Sequence, residues 1–289
     1  MQNQEEALHA DTALLRIAAM LRTDKKAAFG AVVIAIFILV ALLANAVSPY
    51  DPYKIDLANR LGPMSAKHLA GTDSFGRDVL SRIFYGARIS LVIGLLPSII
   101  AILIGTALGL VSGYYGGFID FIIMRLADIV LAFPSLLLAL VIMYSLGVSL
   151  LNLFIALAVI NWGVTARTVR AQTLSLREKE FVEAARACGV SDLAIMFRHI
   201  LPNCIPTLLV ILTLDIPEAI LSEATLSFLG VGAEPPTASW GLMVSENKQF
   251  LFSQPWVAIA PGIAVLLLVI SFNFLGDGLR DALDPFMSE

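Results

Sequence analysis

The sequence predicts an all-α integral membrane protein with six transmembrane helices, on three observations. The first is composition: 58% of the 289 residues are hydrophobic and 15% charged, with a mean hydropathy of +0.85. Soluble domains run nearer about 45–50% apolar and about 25% charged. The second is that apolar residues gather into runs near the ~20 residues that a spanning helix needs. The third is the uneven share of Lys and Arg among the loops between those runs.

The first run is Ala27–Val47, AAFGAVVIAIFILVALLANAV. Residues 1–26 ahead of it are polar, and Ala7–Leu21 reads as an amphipathic helix lying along the membrane. Ala44-Asn45-Ala46 looks like a signal-peptidase site, but the length of the run and of its polar lead favour an uncleaved anchor. Residues 48–88 form a loop outside the membrane. Within it, Arg77–Arg88 carries Val79, Leu80, Ile83 and Phe84 on a helical period and is expected to lie on the membrane surface as a helix. Tyr50, Tyr53, Tyr85 and Trp240 are expected as interfacial anchors.

The remaining runs are Ile89–Ser112, Phe118–Leu146, Leu150–Val164, Ile205–Thr225 and Trp256–Leu275. The fourth of the six is short but can continue helically. Together they make a five-helix core over residues 89–279, with a cytoplasmic loop at 165–203 and a tail at 280–289. Gly105, Gly109 and Gly113 repeat every four residues, a ridge for close helix contact. Pro97, Pro134 and Pro261 are expected to bend their helices.

The loop after the fourth run holds Arg167, Arg170, Arg177, Lys179, Arg186 and Arg198, whereas the loop after the fifth holds only Lys248. The basic loop is therefore assigned to the cytoplasm, and both termini with it. The loop 48–88, placed outside, dissents with six basic residues of its own.

Several function classes fall away. A net charge of −4 gives no basic surface for nucleic acid. Cys188 and Cys204 have neither CxxC spacing nor disulfide-scaffold density, and His9, His68 and His199 are scattered, so no metal centre is expected. No GxxxxGK[ST] loop occurs, so any ATP hydrolysis belongs to another chain. No catalytic constellation and no resident cofactor are expected.

Polar groups inside apolar runs are costly and mark function or pairing. In the fifth run Asp215 falls near mid-membrane, Glu218 follows at i+3 and Glu223 nears the outer end, with Pro217 between the first two. Asp215, Glu218 and Glu223 are candidates for a translocation path, where they would meet a cationic group. A structural pairing with another subunit is the alternative. Arg125 and Asp128 share a helix face at i,i+3 and are expected to form an intramembrane salt bridge.

The polar stretch EFVEAARACGVSDLAIMFRHILPN, residues 180–203, interrupts the apolar pattern. Its Glu183-Ala184-Ala185, three residues, Gly189, nine residues, then His199-Ile200-Leu201-Pro202 resembles the EAA loop of ABC-importer permeases, with His199 where Ile is usual. Three further stretches resemble the dipeptide/oligopeptide/nickel permease family: GTDSFGRDVLSRIFYGARISL (Gly71–Leu91), LSFLGVGAEPPTASWGLM (Leu226–Met243) and LGDGLRDALDP (Leu275–Pro285).

The resemblance implies a type I ABC importer permease fold and transport of peptides, with nickel or other metal chelates or glutathione as alternative cargo. It implies a homologous second permease, two ATP-binding subunits that hold ATP and Mg, and an extracytoplasmic binding protein. Glu183, Ala184, Ala185, Gly189, Leu201 and Pro202 would couple to the ATP-binding subunit, with Gly189 permitting a turn and Pro202 ending the polar segment before the fifth span. An ion-coupled secondary transporter using Asp215 and Glu218 is the rival from another class. A stand-alone channel is a further one, though no filter-like sequence appears.

Overall fold

The computed structural model describes residues 18–283, and within them the chain is a bundle of helices. The expected amphipathic segment Ala7–Leu21 lies mostly outside the described residues, although residues 18–23 are helical. The expected tail at 280–289 is described only to residue 283, still within the last helix.

Helix α1, Lys25–Val47, starts two residues before the apolar run because Asp24 caps it, accepting from the Lys26 and Ala27 amides. Helix α2 spans Val79–Tyr115 without interruption. This corrects the expected surface helix: Arg77–Arg88 is the cap and first turns of a spanning helix. Asp78 accepts from the Ser81 amide and so starts α2 at Val79, and the apolar face carried by Val79 packs into the core instead of against lipid. Pro97 is contained within α2 and Pro261 within the last helix.

The third expected span, Phe118–Leu146, is two helices, α3 (Gly117–Ala132) and α4 (Ser135–Leu146), which meet at 95°. Pro134 supplies no amide hydrogen, and Phe133 before it is forced into extended backbone at φ −90°, ψ 141°. Helix α5 runs from Leu150, capped by Ser149, to Leu176, so the short fourth run does continue helically.

Helix α6, Glu180–Ala187, is short and polar. Helix α7 extends over Asp192–Phe228, with a π-helical segment at Ile195–Ile200. Pro202 therefore does not stop the chain before the fifth span. It falls at the start of the α-helical part, where the wider π turn precedes it, and the rod continues. Helices α8 (Trp240–Asn247) and α9 (Trp256–Leu283) complete the fold. Five helices are long and apolar enough to span a membrane, and the bent α3–α4 pair makes the sixth crossing when taken as one.

Helix α2 is the hub. It packs along α5 and α7, while α1 and α9 close the bundle on one side and α3 and α4 lie on α5. The glycine ridge decides the α2–α5 approach. A Cβ on Gly105 would come 2.6 Å from the Trp162 carbonyl oxygen, on Gly109 2.6 Å from that of Ala166, and on Gly113 2.6 Å from Thr173 Cβ. Only hydrogen fits at these three positions, so the backbones meet directly.

At one end of the bundle, the segment before α2 is tied to α8 by ions. Arg77 reaches Asp73 at 2.6 Å and Glu246 at 2.7 Å, and Arg82 lies 3.4 Å from Glu246 and 3.7 Å from Asp73. Asp73, Arg77 and Arg82 are 1%, 4% and 0% exposed. Trp240 belongs to the same joint and is not an interfacial anchor. It is fully buried, donates from Nε1 to the Ile83 carbonyl and sits where a Gly86 side chain would be. Tyr50 and Tyr53 do remain exposed.

Candidate functional site

The polar stretch at residues 180–203 builds a rigid platform at the bundle end opposite α8. Helix α6 ends in a turn that needs glycine: the Gly189 amide donates to the Arg186 carbonyl, the Val190 amide to that of Ala185, and Gly189 has φ +77°. This is the paired bonding of a Schellman motif, in which the left-handed residue is nearly free of strain only when it lacks a Cβ. Val182, fully buried, anchors α6 against Leu110, Val169, Ile195 and Ile200. The Tyr114 hydroxyl donates to Asp192 at 2.7 Å, and Arg177 donates to the Gly113 carbonyl at 3.0 Å, so α2, α5 and α7 all grip this end.

What α6 presents outward is Phe181 (44% exposed), Glu183 and Ala184, flanked by Leu193 (62%) and Phe197 (56%). The Glu183 carboxylate makes no hydrogen bond or ion pair among the described residues. Gly189 and Pro202 are also exposed, whereas Ala185 and Leu201 are half-buried against the Val182 cluster. The six expected coupling residues thus divide: Glu183, Ala184, Gly189 and Pro202 form surface, and Ala185 and Leu201 support it. Ala185 is small because its own chain lies over it.

The three acidic residues of α7 do not share a setting. Glu218 is exposed, and Asp215 is half-buried with one carboxylate oxygen unpartnered. Glu223 departs from the expected path-facing role: it is 1% exposed and accepts from the Ser227 hydroxyl at 2.7 Å and the Ser239 hydroxyl at 2.9 Å. Ser239 caps α8, so Glu223 holds α8 onto α7 from within the chain. Its place one turn before Ser227 on α7, opposite the α8 cap, turns it inward.

Arg125 and Asp128 do meet, at 3.6 Å, but the shorter partner of Asp128 is Arg167 at 2.6 Å, a contact between α3 and α5 that the local i,i+3 pattern could not disclose. All three side chains are 44–61% exposed in the isolated chain. Some two turns before Asp128 on α3, Asp120 accepts from Nε and one Nη of Arg170, at 2.5 and 2.6 Å.

Glu218 also lines a small cleft with Ser135, Asn161 and Ser222, and with the apolar Leu136 and Leu157, at the junction of α4, α5 and α7. Sequence reading passed over Ser135, Asn161 and Ser222. The available signal was Asn161, an amide side chain inside the apolar run ALAVINWGV, and Ser135 directly after the helix-breaking Pro134.

Residues 105–289 match the family described as binding-protein-dependent transport system inner membrane component, and residues 14–63 match the N-terminal transmembrane domain of oligopeptide transport permease C. A dipeptide transport system permease protein, DppC, of Alkalihalophilus pseudofirmus is 47% identical over 267 residues, covering 92% of this chain and 88% of the relative. A glutathione transport system permease protein, GsiD, of Pectobacterium atrosepticum is 44% identical, covering 86% and 83%. DppC of Haemophilus influenzae is 42% identical, covering 93% of each. With its helical bundle, its spanning helices and a match over most of its length, the chain belongs to the binding-protein-dependent transport system inner membrane component family, as a multi-pass membrane permease.

Proposed function

We propose that this chain is one of two homologous permease subunits of an ATP-driven peptide importer of the cytoplasmic membrane. The observation that carries the proposal is the α6 platform. A polar helix with Glu183 and Ala184 outward and Val182 locked inward suits docking into a groove of a separate ATP-binding subunit. The two ATP-binding subunits hold ATP and Mg and carry out hydrolysis. This chain has no resident cofactor and does no covalent chemistry.

Orientation follows from charge. Arg177, Lys179, Arg186 and Arg198 cluster at the α6 end, which is therefore cytoplasmic, together with both termini. The six basic residues of the opposite loop become less discordant. Arg77 and Arg82 are buried in ion pairs, and Arg88 donates to the Ala41 carbonyl at 3.1 Å. The α8 end then faces outward, where an extracytoplasmic binding protein delivers substrate.

In this reading, ATP binding draws the two ATP-binding subunits together and displaces α6. Because Val182 packs in one buried cluster with residues of α2, α5 and the base of α7, and Asp192 ties that base to α2, the displacement moves rods rather than a loop. Helix α7 alone carries it roughly 55 Å at ~1.5 Å per residue. Asp215 and Glu218 on that rod are proposed to border the path between the two permeases. Small peptides are the favoured cargo because dipeptide permeases resemble this chain over nearly its whole length. Glutathione, itself a short peptide, is the second reading, supported by the 44% identity to GsiD.

Purification of the intact chain and of Glu183→Arg, with identification of every bound subunit and an ATPase assay, tests the proposal. The intact chain is expected to bring a second permease and ATP-binding subunits, and the charge reversal to release the latter. A chain that purifies alone and moves substrate on an ion gradient would overturn it.

A further inference from the structure

Glu218, Asn161, Ser135 and Ser222 come from three helices and line one cavity. Their depth can be read from the helices that carry them. Counted at ~1.5 Å per residue, Asn161 lies roughly 16 Å from the start of α5 at Leu150, and Glu218 roughly 15 Å from the end of α7 at Phe228. Those two helix ends lie at the same end of the bundle, where Leu226 and Val231 pack in one cluster with Leu150 and Val148. Half of a hydrocarbon core of ~30 Å is about 15 Å, so the cavity sits at the membrane midplane.

Two independent features of that level exclude lipid. An ionisable side chain left open at midplane depth cannot face lipid, and Glu218 is open. Backbone broken out of helix survives at that depth only inside protein or beside an aqueous cavity. The α3–α4 break, with Phe133, Pro134 and Ser135 all exposed, lies beside the same cavity. The enclosed part of the cavity, about 10 Å³, has room for about one water-sized group, which is the size of an ammonium head and not of a whole peptide.

We infer that this cavity is a binding site for the α-ammonium group of the transported peptide, with Glu218 as the counter-charge and the Asn161 carbonyl and the Ser135 and Ser222 hydroxyls as acceptors. An ammonium offers three N–H donors, and the four side chains supply one anionic and three neutral acceptors around it. Asp215 makes a poorer ligand: it is half-buried one turn away and does not line the cavity. The inference rests on the importer reading above and names what part of the substrate the path holds. A site for a terminal ammonium accepts any side chain, which suits a permease whose sequence selection lies in another subunit.

The test uses the assembled transporter in proteoliposomes. In a Leu136→Cys chain that also carries Cys188→Ser, the introduced thiol lines the cavity without replacing a ligand, and it is labelled with a cationic and with an anionic methanethiosulfonate, with and without Glu218→Gln and with and without alanyl-alanine during turnover. The cationic reagent is expected to react about tenfold faster, as one nearby carboxylate requires, and Glu218→Gln should abolish the difference. Alanyl-alanine should slow labelling in the Glu218 background only. Equal labelling by both reagents, or labelling that the peptide does not slow while uptake proceeds, overturns the ammonium site and leaves the importer standing. Wild-type transporter that neither hydrolyses ATP nor accumulates alanyl-alanine sinks the importer reading itself. If Glu218→Gln instead lowers the yield of assembled complex while the thiol stays unreactive, Glu218 is a subunit-pairing residue and the site is likewise overturned.

Discussion

The Arg77 guanidinium meets the Glu246 carboxylate at 2.7 Å across 169 residues of chain. That single contact joins GTDSFGRDVLSR to the helix that begins within the SWGLM motif, two stretches that look independent along the sequence. With Asp73 and Arg82 it forms a cluster of two cations and two anions, nearly closed to solvent. Such a cluster specifies one arrangement of the segment before α2 against α8, since each ion left alone would be buried without a partner.

Removal of one member is therefore expected to cost more than removal of a pair. Arg77→Met should destabilise the chain by about 3–5 kcal/mol by stranding Asp73 and Glu246. Arg77→Met with Glu246→Met should cost less than the sum of the two single changes. Thermal unfolding of the detergent-purified singles and double checks this, and strict additivity would argue against a coupled cluster.

The glycine ridge gives a paired expectation. Gly109→Val drives a branched side chain into the Ala166 carbonyl and Val169, and should cost at least about 1–3 kcal/mol or block folding. Gly262, inside α9, has open space where its Cβ would be. Gly262→Ala should be neutral or stabilise by up to about 1 kcal/mol. Melting temperatures of the two variants, read side by side, separate helix contact from helix propensity.

On the platform, Glu183→Arg should leave the melting temperature unchanged while abolishing association with the ATP-binding subunits. Gly189→Ala, at φ +77°, should strain the turn by about 1 kcal/mol and lower coupled ATPase activity without removing any contact. Val182→Asp should do both, because it places a charge in the buried anchor. Pull-down yield and unfolding midpoint, measured on the same samples, tell the three apart.

Glu223→Ala should leave the Ser227 and Ser239 hydroxyls without their acceptor, at about 1–3 kcal/mol. Glu223→Gln keeps one acceptor oxygen and should cost less. If instead both variants retain full stability and change substrate preference, Glu223 faces the path after all. Uptake competition among dipeptides, with melting temperatures alongside, reads both effects.

Much of the architecture was legible from local pattern. Apolar run length located the spanning helices, because a bilayer accepts little else, and the four-residue glycine spacing marked the α2–α5 contact. The motif Glu183-Ala184-Ala185 to Gly189 was legible because its turn depends on one residue's freedom at positive φ. The surface-helix assignment for Arg77–Arg88 misled because an apolar helical period is the same whether it meets lipid or protein. Pro202 misled in a similar way, since a proline near the start of a helical segment can be carried by the turn before it.

The sequence by itself determined the class, the spanning helices, the exposed polar helix and the absence of a nucleotide loop, all of which depend on composition and neighbours a few residues apart. Only the tertiary structure decided which charged groups pair, which acidic residue of α7 turns inward, and that Asn161, Ser135 and Ser222 surround Glu218. Those facts depend on helices brought together from distant parts of the chain, and side chains with the same local sequence signature separate there into buried partners and open groups.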